Sequence, residues 1–177
     1  MKVLISDTSV LLNLLAANCL DSVVRATGWQ FKLCPAVRDE VKKLRDPTTG
    51  KVEAVDISSL LERRVLEVID LTAGDEQARY IDLASTVDDG EAMSIAIAVE
   101  RDLDLAIDDK QAGNLARRIF PTLRLWTTPE ILKAWSEAAA VDSAELQAVI
   151  LLIESRARYA PAKTHALYGW WQTIKSG

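Results

Sequence analysis

Lys2-Val3-Leu4-Ile5-Ser6, followed at once by Asp7-Thr8-Ser9, is the stretch that decides the fold. Four or five residues rich in β-branched and aliphatic side chains read as a buried strand. Asp7, Thr8 and Ser9 are helix-capping residues, and Val10-Leu11-Leu12-Asn13-Leu14-Leu15 behind them reads as a helix. A strand that runs straight into a helix is the first half of a strand–helix–strand unit.

The same alternation continues outward. Phe31-Lys32-Leu33-Cys34 is a second apolar run, and Pro35 suits the first position of a helix carrying Val37, Val41 and Leu44. Asp46-Pro47-Thr48-Thr49-Gly50 reads as a loop. A helix is expected over 57–64 and a strand over 65–69, with another helix opening at Thr72-Ala73-Gly74-Asp75. Asp88-Asp89-Gly90-Glu91 caps a helix over 92–100 that is apolar almost all round, and hence central. Leu103 to Ile107 is a strand ending in Asp108-Asp109, with a helix through Leu115 and Arg118 behind it. A short strand at 123–126 and helices over 129–140 and 143–158 complete the pattern. Strands separated by helices imply a mostly parallel sheet with helices on both faces, a three-layer α/β/α sandwich. Sites in such sheets lie beyond the carboxyl ends of the strands, where the strand order reverses.

Composition narrows the chemistry. A chain of 177 residues points to one domain with an appendage, divided here into 1–127 and a helical extension over 128–177. With one histidine, His165, neither a histidine-based metal site nor a Ser/His triad can be assembled. Cys19 and Cys34 sit among apolar residues and read as buried thiols. The N-terminus meets charge too early for a signal peptide, and no window reaches a membrane span, so a cytoplasmic, membrane-free protein is expected. A net charge of −5 disfavours broad nucleic-acid binding but leaves room for local basic patches.

Each acid has a local explanation. Asp7 could cap the first helix, Asp108 or Asp109 the helix after the late strand, and Asp88 with Glu91 has capping-box spacing. Glu40 could lie on a solvated helix face. Together they say more. Asp7, Glu91 and Asp108 at one end of one sheet crowd negative charge, which is unfavourable unless a cation intervenes. Oxygen ligands without His or Cys suit Mg²⁺ or Mn²⁺.

The order of these residues resembles the PIN-domain nucleases, among them toxin ribonucleases of type II toxin–antitoxin pairs. The resemblance rests on Asp7-Thr8-Ser9, on Glu40 in Arg38-Asp39-Glu40-Val41, on Asp89-Gly90-Glu91-Ala92 and on Ile107-Asp108-Asp109, and runs from Met1 to Trp126. It implies a PIN-like fold and catalytic, metal-binding roles for Asp7, Glu40, Glu91 and Asp108, with Asp109 as an alternative ligand to Asp108. Thr8 or Ser9 would steady the first carboxylate, and Asp89 could share the role of Glu91. The implied activity is Mg²⁺- or Mn²⁺-dependent hydrolysis of phosphodiester bonds in single-stranded RNA, with an antitoxin protein and a second copy of the chain as partners. The toxins are shorter, so the helices after Pro129 depart from their pattern.

Two rivals remain. One is a PIN-like module that binds nucleic acid without cutting it. The other is phosphoryl transfer through Asp7 as nucleophile, which would want a second Asp where Ser9 stands. Lys42, Lys43 and Arg45, and Arg117 with Arg118, are candidate RNA contacts or simply solvated charges. From Ser155 to Gly177 the chain carries Arg156, Arg158, Lys163 and Lys175 and no acid, interleaved with Tyr159, Tyr168, Trp170 and Trp171. That reversal of sign predicts a contact surface, or else aromatics packed back on the domain.

Overall fold

A computed structural model of the chain describes residues 2–46 and 48–177. Strand β1 (Val3–Ser6) runs into helix α1 (Thr8–Ala16), as its sequence predicts. Helix α2 (Leu20–Thr27) stops at Gly28, whose φ of 66° is the left-handed cap that glycine adopts without strain. Strand β2 (Gln30–Leu33) leads to α3 (Pro35–Glu40), with Pro35 at its first position. Helix α3 is shorter than expected. Val41 turns to φ −72°, ψ 80°, and Leu44 lies in β3 (Lys43–Arg45), which pairs antiparallel with β4 (Val52–Ala54). This hairpin replaces the predicted end of the helix. Pro47, part of the predicted loop, lies outside the described residues.

Helix α4 (Ser58–Glu62), strand β5 (Leu66–Val68) and helix α5 (Asp75–Leu83) follow. The apolar helix is α6 (Asp89–Glu100), and its Ala92 and Ile95 to Ala98 are wholly buried. Strand β6 (Asp104–Ala106), helix α7 (Lys110–Ile119) and strand β7 (Leu125–Trp126) complete the sheet region. Five parallel strands lie in the order β5-β2-β1-β6-β7, with helices on both faces. This is the predicted α/β/α sandwich. The chain leaves β1 toward β2 on one side and returns as β6 on the other, so the strand order reverses between β1 and β6. Both of these strands end in acids.

Beyond β7, α8 (Thr128–Ala138) opens with a capping box of Thr127 and Glu130. Its Trp135 is buried, and its indole N–H donates to Ser22 Oγ at 3.1 Å. Helix α9 (Ser143–Leu152) passes into a π-helical turn (Ile153–Ala157), and Arg158, at φ 58°, reverses the chain. A last helix, α10 (Tyr168–Ser176), was not anticipated. The tail is folded back rather than presented. Trp171 is fully buried and donates to Glu154 Oε1 at 2.9 Å. Arg156 caps the end of α1 through Ala16 O at 2.7 Å and reaches Arg45 O at 3.3 Å. Trp171 and Arg156 thus follow the second of the two readings, packed back on the domain, and the segment after residue 127 shares the core of the preceding one. No single helix among the described residues is long and apolar enough to cross a membrane.

Candidate active site at the carboxyl end of the sheet

Asp7 follows β1 directly, and its backbone N–H continues the ladder to Ala106 O on β6. Its side chain, 3% exposed, accepts from Val10 N at 2.7 Å, so the capping role read from the sequence is real. The second oxygen accepts the Asp108 N–H at 3.2 Å and ties the two strand ends together. Burial first, then the charge of Asp108, drives the Asp7 carboxyl well above its ordinary range, and Glu91 adds to the effect.

Asp108 is held differently. One oxygen accepts from Thr128 N and Tyr159 OH, both at 2.9 Å. The other accepts from Asn13 Nδ2 at 2.9 Å and Thr128 Oγ1 at 2.5 Å. Burial raises its pKa, while Thr128, Tyr159 and Asn13 pull it back. Four neutral donors therefore fill the oxygens of a carboxylate that faces another carboxylate. Asp109 caps α7 through Ala112 N at 2.8 Å and is exposed.

Glu91 stands in the first turn of α6, where Asp88 Oδ1 accepts its backbone N–H at 2.9 Å. Its carboxyl is pushed up to about 7, chiefly by burial, then by the charges of Asp88, Asp109 and Glu40. Those causes place Asp109 and Glu40 on the same side as Glu91. Glu40 ends α3, and Thr8 Oγ1 donates to its Oε2 at 2.5 Å. Its carboxylate also rests on Gly90: a Cβ at that position would stand 3.0 Å from Oε2 and 3.1 Å from Oε1. Glycine is what lets Glu40 approach the start of α6.

Asp7, Glu40, Glu91, Asp108 and Asp109 thus gather at the switch point of the sheet. Thr8 is in contact with the group, whereas Ser9 is exposed on the first turn of α1. Asp89 turns away and accepts from Tyr80 OH at 3.1 Å. Lys42 and Lys43 are exposed at the start of the hairpin; Arg117 and Arg118 are exposed on α7, and Arg117 lines a cleft beside Asp108 and Asp109. The sequence did not single out Asn13, Thr128 or Tyr159 as supports. Their polar side chains are ordinary one by one, and only the fold brings them to Asp108.

Chemically, the cluster is a set of oxygen donors in which Asp7, Glu91 and Asp108 have raised proton affinity, with no lysine or arginine in an ion pair with Asp7, Glu91, Asp108 or Asp109 among the described residues. Like charges held this way are relieved by protons or by a cation. Hard divalent ions are the matching class for all-oxygen donors. Among the described residues, no three His, Cys, Asp or Glu side chains stand close enough together to grip an ion as they are. The donors fit such an ion in kind, while their side chains as placed do not close on one.

Comparison with known proteins agrees with this geometry. A family model described as a PIN domain matches residues 3–166, which spans the sheet, α8 and the segment bearing Tyr159. No curated protein and no solved structure matches the chain.

Proposed function

We propose, for a chain that belongs to the PIN-domain family, whose members are generally nucleases, that it hydrolyses phosphodiester bonds in single-stranded RNA with the help of Mg²⁺ or Mn²⁺. The observation that carries the reading is the meeting of Asp7, Glu91 and Asp109 at the switch point, where the carboxyls of Asp7 and Glu91 are raised by burial and by neighbouring acids.

Asp7, Glu91 and Asp109 would hold the ion, with Glu40 at the margin. Asp109 is preferred to Asp108 because the oxygens of Asp108 are already engaged by Thr128, Asn13 and Tyr159. When bound, such an ion lowers the pKa of a water and neutralises charge on the transferring phosphate. Asp108 serves the site from beneath: its N–H orients Asp7, and its buried charge keeps the Asp7 carboxyl eager for a cation. Thr8 fixes Glu40.

The test is cleavage of a labelled single-stranded RNA with Mg²⁺, Mn²⁺ or chelator, run on the wild type, Asp108→Asn and Asp109→Asn. Metal-dependent cleavage lost more completely in Asp109→Asn supports the assignment. Cleavage that persists in chelator defeats the metal reading, and a DNA strand cut in preference defeats the RNA reading. A small companion gene next to this one would extend the reading to the toxin of a toxin–antitoxin pair.

A further inference from the structure

Beside the acids, between α7 and the loop over 159–166, lies an open cleft of about 460 Å³. We propose that this cleft seats one nucleotide of a single-stranded RNA next to the scissile bond, its phosphate on Arg117 and Lys110 and its base against the tail loop. The proposal rests on the nuclease reading and names how that site takes its substrate.

The two walls differ in charge. Asp108 and Asp109 form the end nearest the acid cluster, while Lys110, Asn114 and Arg117 project from α7 along one side. Neither Lys110 nor Arg117 has an ion-pair partner among the described residues, whereas five of the chain's twelve arginines do: Arg38 pairs with Asp39, Arg63 with Asp21, Arg79 with Glu100, Arg101 with Glu76 and Arg156 with Glu53. Unpaired cations beside unpaired acids leave the cations free for an outside anion. A phosphate entering the cleft is repelled from the Asp108 end and drawn to the Arg117 end.

The opposite wall is built from small residues, Ala160, Ala162, Thr164 and Ala166, with Glu130 at its foot, where Thr127 N and Oγ1 donate to the Glu130 carboxylate. His165 fixes this wall to α8. Its Nδ1 accepts the Leu167 N–H at 3.0 Å, so Nε2 carries the proton and donates to Thr127 Oγ1, also at 3.0 Å. The volume falls within the roughly 300–1,000 Å³ typical of small-ligand sites. The shape favours a splayed single-stranded nucleotide, because a base still paired in a duplex could not enter.

Affinity for a 5′-labelled ten-nucleotide single-stranded RNA, read by fluorescence anisotropy in EDTA across a salt series, tests this. Arg117→Gln should bind about tenfold more weakly at low salt and lose about 0.7 from the slope of log K against log salt, the share of one phosphate contact on a single strand. Arg118→Gln, on the same helix but away from the cleft, should match the wild type. In cleavage assays Arg117→Gln should raise KM and leave kcat nearly unchanged, since the contact serves binding before and during the reaction alike. If Arg117→Gln and Arg118→Gln behave alike while the wild type binds and cuts RNA, the cleft is wrong and the nuclease reading stands. A wild type that neither binds nor cuts RNA overturns both.

Discussion

Glu76 on α5 and the acids at the end of the sheet are buried carboxylates treated in opposite ways. Glu76 is 5% exposed, and Arg101 grips both of its oxygens, at 2.6 and 2.9 Å, while Thr72 N adds a third bond at 2.6 Å. Arg101, the largest influence, holds its carboxyl down to about 2. Asp7 is as deeply buried and shifts upward, with another acid as its main charged neighbour. The fold can supply a guanidinium to a buried carboxylate, and at the sheet end it supplies neutral donors and more carboxylates instead. What is stabilised at Glu76 is left open to an outside cation at Asp7.

Exchanging the charge at each place is the sharpest way to break this contrast. Asp7→Asn keeps a capping oxygen for Val10 N but removes the charge an ion needs, and should lower cleavage by about 10³-fold, several kcal/mol of lost transition-state stabilisation. Its melting temperature should hold or rise, because one like charge has gone. Glu76→Gln should do the reverse, costing about 3 kcal/mol of stability by leaving Arg101 unpaired, with activity per folded molecule unchanged. Denaturant melts beside initial rates read both. An Asp7→Asn protein that stays folded and still cuts would sink the proposed site. The Glu76 contribution also has a pH signature. The folded pKa lies below the ordinary 4.5, so the stabilisation is present above 4.5 and fades as pH falls toward 2.

Glu91 should show the opposite slope. Its folded carboxyl titrates at about 7 against an ordinary 4.5. Its contribution to stability is therefore full below 4.5 and is lost as pH rises through 7. Thermal melts in EDTA between pH 4.5 and 8 should show this loss in the wild type and a flatter profile in Glu91→Gln. Mn²⁺ at neutral pH should restore it, adding about 2.7 kcal/mol at a hundredfold excess over its Kd. Identical profiles for wild type and Glu91→Gln would remove Glu91 from the cluster.

Gly90→Ala isolates Glu40. Alanine suits a helix better than glycine by roughly 0.5–1 kcal/mol, so stability should not fall. The new Cβ, however, would press on the Glu40 carboxylate, which can swing away only by leaving Thr8. A tenfold loss of cleavage, about the effect of disturbing a supporting contact at a metal site, is expected. Full activity would make Glu40 a bystander.

How far the sequence reaches follows from the range of each interaction. β1, β6 and α6 were legible because an apolar run with a cap behind it is a local signal, and the acids at their ends came with them. The hairpin of β3 and β4 was not, since Val37, Val41 and Leu44 keep helical spacing although the helix ends at Glu40. The choice between Asp108 and Asp109 was closed to sequence for the same reason. It turns on Asn13, Thr128 and Tyr159, which stand 95, 20 and 51 positions from Asp108. Helix α10 hides in a tail whose Trp and Tyr residues read equally well as core or as surface.

The smallest effect tests the tail's reach into the site. Tyr159 OH is one of four donors to Asp108, and its ring packs edge-on against Trp171 at 5.9 Å between centroids. Tyr159→Phe keeps the ring and its packing and deletes the hydroxyl. Thr128 and Asn13 still satisfy Asp108, so the loss should be about 1 kcal/mol, the ordinary net value of one hydrogen bond. The Asp108 carboxyl should move further up, because Tyr159 is among the groups that pull it down. Protonation of Asp108 then removes a negative charge beside Asp7 and weakens the attraction of the site for a cation. Tyr159→Phe should therefore need more Mn²⁺ for half-maximal cleavage than the wild type, by a wider margin at pH 6 than at pH 8, since a lower pH favours the proton on Asp108. A Mn²⁺ requirement that is unchanged at both pH values would confine Tyr159 to packing, and the donors to Asp108 would then matter for the fold alone.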